Sequence, residues 1–242
     1  MDGSTSRGRK PGRMRGTLSV LLGLGACAPG VPAPVGQPVA DPAALASALQ
    51  QATTPAAPRQ ATFEWTLDEQ GSRVRGRGAI RFQAPERLRL DLFGARGETY
   101  LAAALVGEEF RLPPAATQGV ALPSPALLWS ALGVIRPPAG APLVLAAMSD
   151  TVAILRYELP GGEQLEYRAA HEGGNTRLLQ VERRARRGVL ETIRLEYGAQ
   201  DELARTRYRD WAAYRDLVFE TETIRDVPSF PESIWRPDAA SR

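Results

Sequence analysis

FEWTLDEQGSRVRGRGAIRF, residues 63–82, is the stretch on which the fold turns. Phe63, Trp65 and Leu67 alternate with Glu64, Thr66 and Asp68. Beyond Glu69-Gln70-Gly71-Ser72, Val74, Gly76, Gly78, Ile80 and Phe82 alternate with Arg73, Arg75, Arg77, Ala79 and Arg81. A period of two predicts strands with one apolar face, and the short glycine-containing link predicts an antiparallel hairpin. In that register Asp68 faces Arg73 and Glu64 faces Arg77, so opposite charges meet on the wet side. Gly76 and Gly78 fall on the apolar face, where they either leave space beside the wall or let the strand bend.

The pattern spreads outward from this hairpin. Leu88, Leu90 and Leu92, set against Arg87, Arg89 and Asp91, form a third strand, and Tyr100 to Val106 and Glu109 to Leu112 supply two more. Pro113 to Pro123 is loop. Ser124-Pro125 then opens a helix carrying Leu127, Leu128, Trp129 and Leu132, closed by Gly133. After proline-rich residues 136–142, strands resume at about 151–159, 163–170, 176–184, 189–197, 203–211 and 216–225, joined by turns such as Pro160-Gly161-Gly162. The expected class is mainly β, a single antiparallel sheet of about eleven strands. A meander of that length with one apolar face must curl into an unclosed barrel, and the mid-chain helix is the natural cap for its concave side.

Upstream, Asp41-Pro42 reads as an N-cap and first helical residue, with Leu45, Ala48, Leu49 and Ala52 on one face of a short N-terminal helix. Residues 27–40 carry prolines 29, 32, 34 and 38, a polyproline-like tether reaching about 40 Å at about 3.1 Å per residue. Residues 17–26 are apolar, but as a helix they reach only about 15 Å against a hydrocarbon core of about 30 Å, too short to span. Arg7, Arg9, Lys10, Arg13 and Arg15 precede them and Gly25-Ala26 follow, the layout of an export signal over 1–26. Met14 is an alternative start that leaves this reading unchanged. Residues 41–242 form the folded domain.

Cys27 is the only cysteine of 242 residues, so it has no internal disulfide partner and no companions for a metal site. The formal charge of +3 would suggest an acidic partner, but removing residues 1–26 takes five basic residues and one acid. The remaining 25 basic and 26 acidic side chains interleave, so no nucleic-acid track is expected. His171, the single histidine, falls in the turn-forming HEGGN, and Glu220 and Glu222 share a strand face as solubilising charges. No phosphate loop, nucleophile elbow or metal spacing is present, and neither an enzyme nor a bound cofactor is expected. The Leu127, Leu128, Trp129, Leu132 cluster reads either as plain core filling or as a lid over a cavity.

Leu24-Gly25-Ala26-Cys27 resembles the lipobox of bacterial lipoproteins, which implies that Cys27 takes a diacylglycerol and becomes the new N-terminus. Two or more acyl chains anchor firmly, and Ala28 points to the outer membrane. The order of lipobox, tether, short helix, five-strand meander, capping helix and second meander resembles the LolA/LolB-like family. The matching segments are Gly78 to Phe82, Pro85 to Leu92 leading to Gly97, and LLWSALG at 127–133 followed by prolines. The likeness extends over most of residues 42–236.

It implies a lipoprotein on the periplasmic face of the outer membrane, a monomer whose apolar half-barrel receives acyl chains of lipoproteins or other lipids, handed over by a soluble LolA-like carrier. Phe63, Trp65, Val74, Ile80, Phe82, Leu88, Leu90 and Leu92 would line the cavity, with Leu127, Leu128, Trp129 and Leu132 as the lid. The loop after the third strand, which in the lipid-anchored receptor exposes an apolar residue before a glycine, here carries Arg96 before Gly97, with Phe93 three residues earlier. The C-terminal VPSFPESIWRP, residues 227–237, is similar to a family ending that docks along the barrel edge. The competing expectation is an envelope interaction module with a filled core; a hydrolase would need turnover dependent on His171.

Overall fold

A computed structural model of the chain describes residues 36–113, 122–172 and 174–237. The export segment, Cys27 and most of the tether lie outside the described residues. The strands are β1 (Gln37–Pro38), β2 (Arg59–Glu69), β3 (Ser72–Gln83), β4 (Arg87–Gly94), β5 (Thr99–Val106), β6 (Glu109–Arg111) and β7 (Leu143–Ser149). They continue as β8 (Val152–Glu158), β9 (Gln164–Glu172), β10 (Asn175–Ala185), β11 (Gly188–Tyr197), β12 (Leu203–Asp210) and β13 (Arg215–Asp226). All thirteen join one antiparallel sheet in the order β1-β7-β8-β9-β10-β11-β12-β13-β2-β3-β4-β5-β6. β1 and β6 are its free edges, so the barrel is unclosed.

The expected hairpin register holds: Asp68 pairs with Arg73 and Glu64 with Arg77. The two strands beyond the expected eleven are β1 and β7. β7, within LVLAAMS, has no alternation to read because its apolar residues run on continuously. β1 lies inside the stretch read as tether, where Gln37 pairs with Met148 and Pro38 with Ala147. The decisive long-range pairing is β13 on β2, from Arg215 opposite Glu69 to Asp226 opposite Arg59. It welds the second meander to the first.

Helix α1 (Pro42–Thr53) starts where Asp41 accepts a hydrogen bond from the Ala44 amide at 2.9 Å. It buries Ala46 and Leu49, with Leu45 and Thr53 beside them, rather than Ala48 and Ala52. Helix α2 (Pro125–Ser130) lies in the concavity and divides the core. Leu127 joins the cluster under β7–β12, while Leu128 and Trp129 join the cluster under β2–β5. The C-terminal 3-10 turn Glu232–Trp235 packs against β4 and β5. Arg87 pairs with Glu232 at 2.6 Å, and Arg89 donates to the Ile234 carbonyl at 3.0 Å. Trp235 is thereby buried, so the ending is clamped beside the β6 edge.

Candidate functional site

The concave side of β2–β4 is apolar because every second residue faces inward, and α2 covers it. Among the described residues two apolar cavities lie beneath the helix. The larger, about 100 Å³, is walled by Trp65, Leu67, Leu90 and Leu92 on one side and by Ile193, Leu217 and Phe219 on the other, under Leu127 and Leu128. The smaller, about 40 Å³, lies further along β2 among Phe63, Ile80, Phe82, Leu203 and Ile224. Leu90, Leu128, Ala131 and Phe219 border both, forming a waist between them.

Aromatic rings shape the wall. Trp65 stands opposite Gly76 and Phe63 opposite Gly78. A Cβ on Gly78 would sit 2.4 Å from the Phe63 ring, and one on Gly76 would sit 1.8 Å from the Phe93 carbonyl oxygen. These glycines therefore hold no spare room; ring and backbone already occupy it. The Trp65 indole N–H donates to the carbonyls of Arg77 and Phe93, both at 3.1 Å, and Tyr100 packs on the indole at 4.9 Å between centroids. Phe63 meets Phe219 edge-on at 5.0 Å across the β13–β2 seam.

The larger cavity is bordered by charge at Glu69 and Arg215, an ion pair with Nε to Oε1 at 2.9 Å, and by the rings of Tyr100 and Tyr208. The Tyr208 hydroxyl donates to Glu191 at 2.5 Å, and Arg183 joins Glu191 to Glu163. Burial, then the Glu191 carboxylate, pushes the Tyr208 hydroxyl well above its ordinary range, so it remains a donor. The rest of the lining is mostly hydrocarbon.

No protein-family model and no curated protein sequence matches the chain. Solved structures do. A LolA superfamily protein from Nitrosomonas europaea is 11% identical, over 81% of this chain and 98% of its own, with a TM-score of 0.56. The two chains share a fold. A DUF1329 family protein from Desulfovibrio piger has the same architecture at 9% identity, over 83% of this chain and 98% of its own, with a TM-score of 0.50.

Within this fold, Trp65, Leu90 and Leu92 face the larger cavity and Phe63, Ile80, Phe82 and Leu90 the smaller. Leu88 is fully buried but borders neither. Val74 is 37% exposed, because the β2–β3 hairpin overshoots β4, whose pairing with β3 stops at Gly76 opposite Gly94. Leu127, Leu128 and Leu132 border the cavities; Trp129 does not, and instead packs edge-on against Phe82 at 6.3 Å as core filling. Phe93 is exposed on β4, and Arg96 sits in a compact turn where the Glu98 carboxylate accepts from the Arg96 amide at 3.0 Å.

His171 lies on β9 rather than in a turn, with Nδ1 2.9 Å from the Thr176 hydroxyl. Glu220 and Glu222 are spread along the outer side, 3.8 Å from Arg205 and Arg77 respectively. Sequence reading missed Leu67, Tyr100, Leu217 and Phe219. The alternation of β13 could have indicated Leu217 and Phe219, but nothing local tells that β13 lies against β2.

Proposed function

We propose that this chain is a lipid-anchored envelope protein, held to the periplasmic face of the outer membrane through Cys27, that takes an acyl chain of a lipoprotein or other lipid beneath α2. It works without turnover. The observation that carries this reading is the apolar track from Tyr100 through the Leu90–Leu128 waist to Ile224. Along β2 from Glu69 to Ala61 it covers about 27 Å, against about 15 Å for a chain filling half a bilayer core.

Length suffices, but the present volume does not. A water-sized group needs about 10–15 Å³ of such space, so the larger cavity takes on the order of eight methylenes. At about 0.8 kcal/mol each these contribute about 6 kcal/mol, and a full chain requires α2 to move. The helix is tied at its C-terminal end, where Thr206 donates to the Ala131 carbonyl at 2.9 Å and Thr53 accepts from the Ile135 amide at 3.1 Å. At the other end the Ser124 cap reaches the Leu127 amide only at 3.4 Å. The helix therefore pivots about its C-terminal attachment, and a soluble LolA-like carrier is the fitting donor of the chain.

Mass spectrometry of lipid extracted from the natively purified protein tests this. Acyl species are expected, and Leu90→Trp, which plugs the waist, should lower their yield several-fold while the fold persists. A parent protein free of acyl species overturns the reading in favour of an interaction module with a filled core. His171→Ala should leave acyl retention unchanged.

A further inference from the structure

In an antiparallel meander successive turns alternate between two rims. The turns after β2, β4, β8, β10 and β12 form one rim; those after β3, β5, β7, β9 and β11 form the other. The second rim carries Glu86, Glu108, Asp150, Asp201 and Glu202 in its turns and no basic residue. The first carries Arg96, Arg186 and Arg187 against Glu98 and Glu163. Glu163 is taken up by Arg183 and Glu98 by the Arg96 amide, whereas among the described residues Arg96, Arg186 and Arg187 form no side-chain ion pair. On the second rim Glu108 pairs with Arg136 and Asp201 with Arg177, while among the described residues Glu86, Asp150 and Glu202 form no ion pair, so the turns of one rim lean cationic and those of the other anionic.

Apolar exposure follows the same division. Among the described residues the large apolar side chains left exposed are Val74, Phe93, Tyr100, Val144, Trp211 and Tyr214. Every one lies in a turn of the first rim or in the strand half nearest to it. Trp211 is 51% exposed and Tyr214 80%, both in the turn from β12 to β13. The Arg209 guanidinium lies over the Trp211 ring at 5.4 Å. The larger cavity is bordered by Glu69, Tyr100 and Arg215 on this rim.

We propose that the first rim seats on an anionic lipid surface, with Trp211 and Tyr214 as interfacial anchors and Arg186, Arg187 and Arg96 facing lipid phosphates. Tryptophan and tyrosine concentrate where bilayer meets water, and arginines near an anionic leaflet each strengthen binding about fivefold. The aromatics are divided between the β12–β13 turn, which carries Trp211 and Tyr214, and the rim-side ends of β4 and β5, which carry Phe93 and Tyr100; a spread along one rim suits a plane, whereas a protein partner calls for a clustered central hot spot. The acidic rim then points away from the membrane, and the cavity meets the headgroup layer. The proposal deepens the reading above by naming what the rim meets, and depends on that reading for the presence of a bilayer.

Three of the four tryptophans, Trp65, Trp129 and Trp235, are at most 1% exposed, so Trp211 is the one that lipid can reach. The test uses the full chain carrying Cys27→Ser, with vesicles of phosphatidylcholine alone or mixed with phosphatidylglycerol. Mixed vesicles should blue-shift the emission, Trp211→Phe should abolish the shift, and salt should weaken the association. Arg186→Glu with Arg187→Glu should weaken sedimentation with mixed vesicles on the order of tenfold or more. No shift, or equal sedimentation of parent and arginine variants, overturns the proposal. A shift that survives Trp211→Phe reports Trp65 responding to an acyl chain, which overturns rim seating while supporting the cavity reading. Loss of a co-purifying protein in the arginine variants, with vesicle binding unchanged, overturns it in favour of a protein partner.

Discussion

Beneath β2–β5 the interior is walled by Phe63, Trp65, Leu67, Ile80, Phe82, Leu88, Leu90, Leu92 and Leu101, whereas beneath β7–β12 Tyr157, Tyr167 and Tyr208 are set among aliphatics such as Leu155, Leu165, Leu178 and Ile193 and small alanines. The tyrosines are fixed by direction. Tyr167 donates to the Arg136 carbonyl at 3.0 Å, Tyr208 to Glu191 at 2.5 Å, and half-buried Tyr197 to the Leu178 carbonyl at 2.9 Å. Burial pushes the Tyr197 hydroxyl up to about 12, opposed by Arg177 and aided by Asp201, so it too stays a donor. Of the hydrocarbon wall, only Trp65 has a polar tip. Dispersion contacts carry no directional demand, so this wall is shaped by packing alone. The hydrogen-bonded tyrosines belong to one half, and both cavities meet the β2–β4 wall of the other.

The largest expected effect tests that wall. Trp65→Ala removes a fully buried ring and the donor to two carbonyls, and should cost about 3–5 kcal/mol in denaturant unfolding. The folded fraction should bind a fluorescent fatty acid more tightly, because the larger cavity has grown. Unchanged binding would break the link between wall and ligand.

Next comes the outer side of the tyrosine half, where Glu166 is 2% exposed between Arg156 at 2.6 Å and Arg168 at 2.7 Å. Burial alone would raise the Glu166 carboxyl, but the hydrogen bonds from Arg156 and Arg168 prevail and hold it below its ordinary 4.5. Its contribution is therefore complete above pH 4.5 and drains away as the pH falls from there through the lower folded-state value. Glu166→Gln should cost about 1–3 kcal/mol at neutral pH, since both arginines keep contact with water. The gap between parent and variant, followed by urea unfolding, should narrow on acidification. A gap that widens would reverse the assignment.

Tyr167→Phe should cost about 0.5–1.5 kcal/mol through the lost bond to the Arg136 carbonyl, and leave fatty-acid binding unchanged. A change in binding would mean that the two halves share one interior. The smallest effect belongs to Arg73→Ala. Its exposed pair with Asp68 at 3.8 Å should be worth no more than about 0.5 kcal/mol by thermal melting.

Most strands were legible because alternation is a property of neighbours: β2 and β3 were read in register down to Asp68 opposite Arg73. β7 escaped because its continuous apolar run carries no period, and β1 because Gln37-Pro38 is too short to carry one. The cavity wall was legible at Phe63, Trp65, Ile80, Phe82, Leu90 and Leu92, whose parity alone turns them inward. Val74 has the same parity yet stands beyond the end of β4, since parity tells which face a residue takes and not whether a neighbouring strand reaches it.

The amino-acid order thus determined an open antiparallel sheet with one greasy face and a helix to cover it, because two-residue alternation and capping act between residues close in the chain. Only the tertiary structure decided which strands meet across the seam, as Arg215 meets Glu69 from 146 residues away. It alone decided that Trp129 fills while Leu128 borders space, and that cationic and aromatic turns gather on one rim. Those outcomes depend on the curvature of the whole sheet, which no local period encodes.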